Sequence, residues 1–200
     1  MTEIPAIEPC RDPDRRDLLQ GLGVGALAAL AASPALAASD PATDASGLHD
    51  FDFLIGRWRV AHRRLKERLS DDTDWESFGG TCNMRPILSG RGNIDDNVIG
   101  LPSGAYEGVG LRLFDAKAET WSIWWIDGRN PSLDDPPVTG RFRAGVGEFL
   151  GDDVLRGMPI RVRYRWSAVT ARSCHWEQAF SPDAGKSWET NWVMQLTREA

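Results

Sequence analysis

The sequence predicts an all-β fold, an antiparallel up-and-down barrel of about ten strands with a short N-terminal capping helix. From residue 57 onward, short segments rich in Val, Ile, Thr, Trp and Phe are separated by Gly, Pro, Asp and Asn about every 8–12 residues. Apolar residues with helical spacing precede them at Leu48, Phe51, Leu54 and Ile55, and no later segment sustains such spacing. A closed barrel is favoured because closure leaves no exposed sheet edge.

Each predicted strand is a run of β-branched and aromatic residues bounded by turn formers. The strands are expected near residues 57–66, 74–84, 91–100, 105–114, 119–127, 138–143, 146–150, 159–168, 172–180 and 188–198. The turn before the last strand, SPDAGKSW over residues 181–188, has the Asp-box spacing S-x-D-x-G-x-x-W. A single box predicts a structural turn, in which Asp183 bonds nearby backbone N–H groups and Trp188 folds over the turn.

Residues 1–37 have the features of an export signal peptide, followed by a polar linker over 38–47 and the barrel domain over 48–200. The uncharged run up to Ala32 has about 15 residues, whereas a membrane-spanning helix needs roughly 20. The sequence Ala35-Leu36-Ala37 predicts cleavage after Ala37 and a periplasmic or secreted protein. Arg15-Arg16 resembles a twin-arginine signal, and the alternative is an ordinary secretion signal that contains two arginines.

Composition excludes several classes of protein. A net charge of −6 and a pI near 5.1 lack the basic excess that neutralises phosphates, so no nucleic-acid partner is expected. Three cysteines are too few for a disulfide scaffold, and Cys82 and Cys174 are expected to be buried thiols. The nucleophile elbow, the phosphate loop and the dinucleotide fingerprint are all missing from the sequence.

We expect neither a cofactor nor a bound metal. The three histidines are widely separated, which gives no support for a zinc site, and no histidine follows His175 as a haem ligand near the C-terminus. The segment Asn93-Ile94-Asp95-Asp96-Asn97 lacks the fixed glycine and the distal glutamate of a calcium loop. It is expected to supply turn and ladder hydrogen bonds.

Several stretches resemble a known family. Gly56-Arg57-Trp58 resembles the Gly-x-Trp motif of the calycins, and the resemblance implies that Trp58 closes the barrel floor with Arg198 packed on its indole. The wider resemblance is carried by FDFLIGRW (51–58), HRRLKERL (62–69), GNIDDN (92–97), WSIWWIDGR (121–129) and WEQAFS (176–181). Over residues 48–198 the chain resembles the bacterial calycin-like family catalogued as domain of unknown function 1579. The resemblance implies a barrel and brings no catalytic set with it.

Strand alternation turns the predicted barrel into a map of its lumen. On the first strand His62 and Arg64 face inward. A buried arginine requires an acceptor, for which Glu76, Asp95 and Asp96 are the candidates. The last strand is expected to direct inward Trp188, Thr190, Trp192, Met194 and Leu196. The predicted ligand-binding residues are His62, Arg64, Glu76, Asp96, Tyr164, Gln178 and Trp192.

Two interpretations of this lumen stay open. In the functional one, Arg64 holds a ligand carboxylate or phosphate and His62 transfers protons. In the structural one, Arg64 snorkels to water at the rim and His62 is a satisfied core histidine. At the barrel mouth, Asp127 and Arg129 either contact a ligand or form a rim ion pair, and the ion pair is the favoured interpretation.

Three functions follow from these interpretations. The leading one is the binding of a small apolar or aromatic ligand in the lumen. The second is acid–base catalysis by His62 with Asp96 or Glu76, so whether the protein is an enzyme stays open. The third is a structural barrel filled with tryptophan that binds nothing inside. The sequence predicts no oligomeric state.

The export hypothesis makes a direct prediction. Replacing Arg15-Arg16 by two lysines is expected to leave precursor in the cytoplasm, because the twin-arginine pathway recognises the arginine pair. Cell fractionation and N-terminal sequencing of the processed chain, expected to begin at Ala38, are the measurements. Undiminished export of the lysine variant would contradict the twin-arginine assignment and leave the signal peptide itself in place.

Overall fold

The computed structural model describes residues 47–199, which form a closed antiparallel barrel of ten strands. The strands are β1 (Gly56–Leu65), β2 (Trp75–Ile87), β3 (Gly92–Leu101), β4 (Gly104–Asp115), β5 (Thr120–Asp127), β6 (Val138–Arg143), β7 (Val146–Leu155), β8 (Met158–Ser167), β9 (Ser173–Ser181) and β10 (Glu189–Arg198). Each strand pairs with its neighbours in the chain, and β1 pairs with β10 to close the sheet. The predicted up-and-down barrel is confirmed. The predicted signal peptide and the linker up to residue 46 lie outside the described residues.

Two strands extend further than the sequence predicts. β2 continues to Ile87, beyond the predicted end at residue 84, and β7 continues through Gly151-Asp152-Asp153, beyond the predicted end at residue 150. The turn lies later, at Arg156 and Gly157, which have φ angles of 51° and 81°. Two positive φ angles in a two-residue connection fit the right-handed twist of a hairpin, so Leu155 pairs directly with Met158.

The predicted capping helix is reduced to one turn of 3-10 helix at Asp52–Leu54. Phe51 and Leu54 are buried, whereas Ile55 is 37% exposed and has an extended backbone that ends the turn. The Phe51 ring packs among aromatic side chains of the barrel end: Phe53, Trp121, Phe142, Phe149 and Trp166. This short segment therefore plugs one end of the barrel.

Trp58 and Arg198 form the floor together, as the sequence resemblance implied. They lie opposite each other across the β1–β10 pair, and the Arg198 guanidinium lies 4.3 Å from the centre of the Trp58 ring. Trp58 Nε1 donates to the Leu54 carbonyl at 2.8 Å, and Arg198 donates to the Phe53 and Ile55 carbonyls. Gly56 has a φ of 116°, and a Cβ there would lie 2.8 Å from Arg198 Nη1. The glycine is thus required by both conformation and space.

The last strand departs from simple alternation at a β-bulge. The register of β10 on β9 shifts between Thr190 and Trp192, so Asn191 is an inserted residue. The expectation that Trp188 and Thr190 share the inner face with Trp192 is therefore wrong. Trp188 lies on the outer side, where the Arg163 guanidinium is 4.6 Å from its ring. A prediction based on strict alternation of side chains along a strand cannot reveal such a bulge.

The Asp-box turn has the predicted structural role. The Asp183 carboxylate accepts hydrogen bonds from the backbone N–H groups of Lys186 and Ser187 and from the Ser187 hydroxyl. These hydrogen bonds, with the Ser187 hydroxyl contributing most, lower the pKa of Asp183 to about 2. Trp188 Nε1 donates to the Gly185 carbonyl at 3.1 Å, so the indole folds over the turn as expected.

Cys82 and Cys174 are both buried free thiols, as predicted. Burial raises the pKa of Cys174 to about 12, which keeps the group protonated and unreactive at neutral pH. Between residues 47 and 199, no helix has the length and apolar character needed to cross a membrane.

The floor contact predicts a coupled loss of stability. Trp58→Ala is expected to lower the free energy of unfolding by roughly 3–5 kcal/mol, the range for deleting a large buried aromatic side chain. Arg198→Ala is expected to cost less, and part of its effect should vanish in the Trp58→Ala background because the two side chains pack together. A double-mutant cycle measured by urea unfolding tests this, and additive losses would reject the contact.

Candidate functional site: the barrel lumen

The barrel lumen contains a cavity of about 70 Å³. Its walls are mainly aromatic and include Trp124, Trp125, Tyr164, Trp166, Trp176 and Trp192. Pockets that hold a whole small ligand commonly have volumes of about 300–1,000 Å³. The enclosed space is thus sufficient for a small chemical group and too small for a complete ligand.

A second cavity of about 180 Å³ adjoins the first at a short stretch of strand pairing. β5 and β6 pair over three residue pairs, ending at Ile123–Val138, whereas β4 and β5 pair over eight. Beyond Ile123 the cleft is lined by Ser132, Leu133, Asp135 and Pro136 of the β5–β6 loop. The two cavities share the residues Ile123, Trp124, Trp125, Tyr164 and Gln178. A molecule whose end lies in the lumen would therefore have its remainder in this cleft.

A buried ion pair forms one wall of the lumen. Arg112 Nη1 donates to Asp95 Oδ2 at 2.6 Å, and the two side chains are 7% and 3% exposed. The other oxygen of Asp95 accepts from the Gly110 N–H at 2.8 Å and from Asn97 Nδ2 at 2.6 Å. Arg112 Nη1 also lies 3.2 Å from Asn93 Oδ1. Such a set of partners is what a buried carboxylate and guanidinium require.

Some donors at the lumen lack a protein partner. Within residues 47–199, the buried side-chain atoms without a hydrogen bond are His62 Nε2, Arg68 Nε, Arg112 Nε and Trp166 Nε1. Arg112 and Trp166 both line the enclosed cavity, and they are 6% and 3% exposed. Because an unpaired buried N–H group is costly, a partner for these two donors is expected from outside the protein chain.

His62 faces inward as predicted but meets no carboxylate. Its ring is 2% exposed, stacks on Phe78 at 4.8 Å between ring centres, and accepts a hydrogen bond from Trp192 Nε1 at Nδ1. Burial, assisted by the positive charge of Arg64, lowers the pKa of His62 to about 4. The ring is therefore neutral at pH 7, and its described contacts are those of a core histidine.

Arg64 and Glu76 form an ion pair at the upper end of the lumen. Arg64 Nη2 lies 2.5 Å from Glu76 Oε1, and the two side chains are 14% and 20% exposed. The guanidinium also lies 5.4 Å from the Trp192 ring centre and 5.6 Å from that of Phe78. Of the three predicted acceptors for Arg64, the structure assigns Glu76.

Asp96 does not belong to the lumen. It is exposed, whereas Asp95 beside it is 2% exposed and faces inward. Asp96 was among the predicted candidates because β3 carries polar residues on both faces. The sequence pattern therefore does not show which face of this strand points into the lumen. His62 and Asp96 are consequently on opposite sides of the wall, and the predicted acid–base pair does not form.

Tyr164 and Gln178, which were predicted to face the lumen, line the lumen cavity and also the adjoining cleft. Burial raises the pKa of Tyr164, which keeps its hydroxyl protonated. Gln178 Nε2 donates to the side-chain oxygen of Asn191, the bulge residue of β10, at 2.9 Å. Together with Trp192, these residues supply polar groups to an otherwise aromatic wall.

Arg112 lines the lumen and was not predicted from the sequence. The inner face of β4 carries Tyr106, Gly108, Gly110 and Arg112, while the leucines at 111 and 113 are only partly buried on the other face. The apolar residues of this strand therefore point to the wrong face. The available signal in the sequence was that Gly108 and Gly110 lie on the same face of the strand as Arg112. Small residues on that face leave room for a long side chain.

At the mouth, Asp127 and Arg129 form the favoured rim ion pair, with Arg129 Nη2 2.5 Å from Asp127 Oδ2. The guanidinium of Arg129 covers the Tyr106 ring at 3.8 Å. In the part of the chain from 47 to 199, no group of three or more His, Cys, Asp or Glu side chains is placed to hold a metal ion.

The Arg64–Glu76 pair predicts the sign of a stability change. Arg64→Met is expected to lower the unfolding free energy by about 3 kcal/mol, the lower end of the cost of breaking a buried ion pair, because Glu76 loses its partner. The double variant Arg64→Met with Glu76→Leu is the matched control and should recover most of the loss. Thermal and urea unfolding are the measurements. A raised melting temperature in Arg64→Met would contradict a structural role for the pair.

The lowered pKa of His62 predicts acid sensitivity. Between pH 6.5 and about 4 the unfolded chain binds a proton that folded His62 does not bind, so stability falls as the pH drops through this window. From pH 7 to 4, the wild type should lose on the order of 2–3 kcal/mol more than His62→Asn. Urea unfolding of both proteins at both pH values measures this. Equal losses in the wild type and His62→Asn would contradict the assignment.

The fold is shared with a solved structure. The S-type phycobiliprotein lyase from Guillardia theta is similar with a TM-score of 0.55 and 9% sequence identity, over 77% of this chain and 93% of the lyase chain. A redesigned β-barrel is similar with a TM-score of 0.42 and 12% identity, over 76% of this chain and 96% of its own. No protein-family model matches the sequence, and no curated protein matches it. At 9% identity the likeness to the lyase shows the barrel fold alone.

Proposed function

We propose that this protein is a small-molecule-binding barrel that takes an apolar or aromatic ligand. The observation that carries the proposal is the aromatic-walled cavity in the lumen, which shares five lining residues with a larger cleft beside β5 and β6. A ligand would place one end in the lumen and the rest against Trp124 and Tyr164 in the cleft. Aromatic walls with few polar groups are typical of sites that bind such ligands.

The charges in the lumen favour this ligand class over an anion. The inward-facing arginines of β1 and β4, Arg64 and Arg112, are already neutralised by carboxylates at 2.5 Å and 2.6 Å, respectively. A ligand carboxylate or phosphate would have to compete with Glu76 or Asp95. We therefore assign the predicted ligand-binding residues different parts: Tyr164, Gln178 and Trp192 contact the ligand, and Arg64 and Glu76 close the lumen above it.

A second candidate function rests on the size of the cavity. With about 70 Å³ enclosed, the lumen is mostly filled by its own side chains, which favours a structural barrel without a ligand. Acid–base catalysis gains no such support, because the described contacts of His62 are Phe78 and Trp192 and include no carboxylate.

We also propose that the protein acts outside the cytoplasm and belongs to the family catalogued as domain of unknown function 1579. The support for export is the twin arginine, the uncharged run and the Ala-Leu-Ala site within residues 1–37. The support for the family is the set of motifs between residues 51 and 181.

A titration with naphthalene, followed by tryptophan fluorescence, tests the binding proposal. Val60 lines the cavity and Ala61 beside it is exposed on the outer face, so the same substitution can be made on both sides of the wall. Val60→Phe is expected to weaken naphthalene binding more than tenfold by filling the lumen, whereas Ala61→Phe should leave it unchanged. Circular dichroism establishes that both variants fold.

Two results would contradict this proposal. Absence of saturable naphthalene binding to the wild-type protein would favour the structural barrel. Equal weakening by Val60→Phe and Ala61→Phe would place the probe outside the lumen. Ile123→Phe, at the junction of the two cavities, is the alternative lumen-filling variant if Val60→Phe does not fold.

A further inference from the structure

The chemistry of the enclosed cavity extends beyond its aromatic walls. Arg112 Nε and Trp166 Nε1 are buried donors without a partner among residues 47–199, and both residues line the cavity. The Arg112 guanidinium lies 5.8 Å from the centre of the Trp166 ring. A nitrogen-to-oxygen hydrogen bond is about 2.9 Å long, and the two unpaired donors belong to neighbouring side chains that line the same cavity.

The charge of the site decides which kind of oxygen fits. Asp95 neutralises Arg112 at 2.6 Å, and the pair is almost completely buried. Adding a carboxylate to this pair would bury a net negative charge, which is costly in the interior of a protein. An uncharged acceptor adds no charge and satisfies the unpaired N–H groups.

We propose that the ligand carries an uncharged oxygen acceptor, such as a ketone or amide carbonyl, at the end that enters the lumen. The carbonyl oxygen accepts hydrogen bonds from Arg112 Nε and Trp166 Nε1, and the apolar body extends past Tyr164 into the cleft. This inference rests on the proposed function and specifies the ligand class for the same cavity. A carbonyl group is also of a size that about 70 Å³ can hold.

Three probes of similar size separate the possibilities. Acetophenone is an aromatic ring with a carbonyl, ethylbenzene lacks the acceptor, and benzoate carries a charged one. On the full-length protein, acetophenone is expected to bind about 5–30-fold more tightly than ethylbenzene, the range for one or two net hydrogen bonds of about 1 kcal/mol each. Benzoate is expected to bind more weakly than acetophenone. Competition of all three against naphthalene measures the dissociation constants by fluorescence.

A variant then tests the donor itself. Trp166→Phe keeps an aromatic ring and removes the N–H group, so it should bring the acetophenone-to-ethylbenzene preference close to one while ethylbenzene still binds. Trp121→Phe is the matched control, because Trp121 Nε1 donates to the Gly47 carbonyl and Trp121 does not line the cavity. The control should keep the wild-type preference. A ratio of affinities is insensitive to a general loss of stability.

The possible outcomes are distinguishable. Equal binding of acetophenone and ethylbenzene by the wild-type protein would overturn the inference, with water satisfying the two donors. Tightest binding of benzoate would overturn it by showing that the lumen selects an anion. If neither naphthalene nor any of the three probes binds, the proposed function itself is overturned. The probe comparison needs no variant, so it stands even if Trp166→Phe does not fold.

Discussion

Burying the Arg112 guanidinium inside the barrel requires a carboxylate beside it, and Asp95 supplies one from the neighbouring strand. That carboxylate in turn needs the Gly110 N–H, and a Cβ at residue 110 would lie 2.5 Å from Asp95 Oδ1. The position must therefore stay glycine. Because Gly110 also lines the cavity, the missing side chain contributes to the open space in the lumen. The hydrogen bonds of the buried ion pair and the open space in the lumen therefore both depend on residues of β3 and β4.

The two ends of the barrel are closed by different means. The floor is a packed plug in which Trp58, Arg198 and the 3-10 turn share hydrogen bonds and ring contacts. At the upper end the Arg64–Glu76 pair covers Phe78 and Trp192, and polar contacts dominate. Strand pairing is shortest between β5 and β6, where three residue pairs join the strands. The cleft beside that short pairing therefore adjoins the lumen at the side of the barrel.

Strand parity and turn chemistry were readable from the sequence because they are local. Alternation along β1 placed His62 and Arg64 inside, and the Asp-box residues placed the β9–β10 turn. Alternation gave the wrong face for Trp188, because the bulge at Asn191 shifts the register and has no local signal in the sequence. It also failed on β3, where polar residues occupy both faces and Asp96 was taken for a lumen residue.

The ion pairs of the lumen depend on the register between paired strands. Arg112 meets Asp95 across seventeen positions of chain, and its strand presents leucines on the opposite face. Neither periodicity nor spacing reveals such a pairing, because the choice among Glu76, Asp95 and Asp96 follows only from which strands are neighbours and how they align. The candidate cavity was thus predictable as an aromatic lumen, whereas its central charge pair was not.

The position of a bound probe is the decisive test of ligand binding in the lumen. A crystal structure of the protein with acetophenone is expected to show the ring in the aromatic lumen and cleft. Its carbonyl oxygen should lie within hydrogen-bond distance of Arg112 Nε and Trp166 Nε1, with the Arg112–Asp95 pair intact. A lumen filled by the side chains of Trp124 and Trp125, with the probe bound only on the outer surface, would contradict the account.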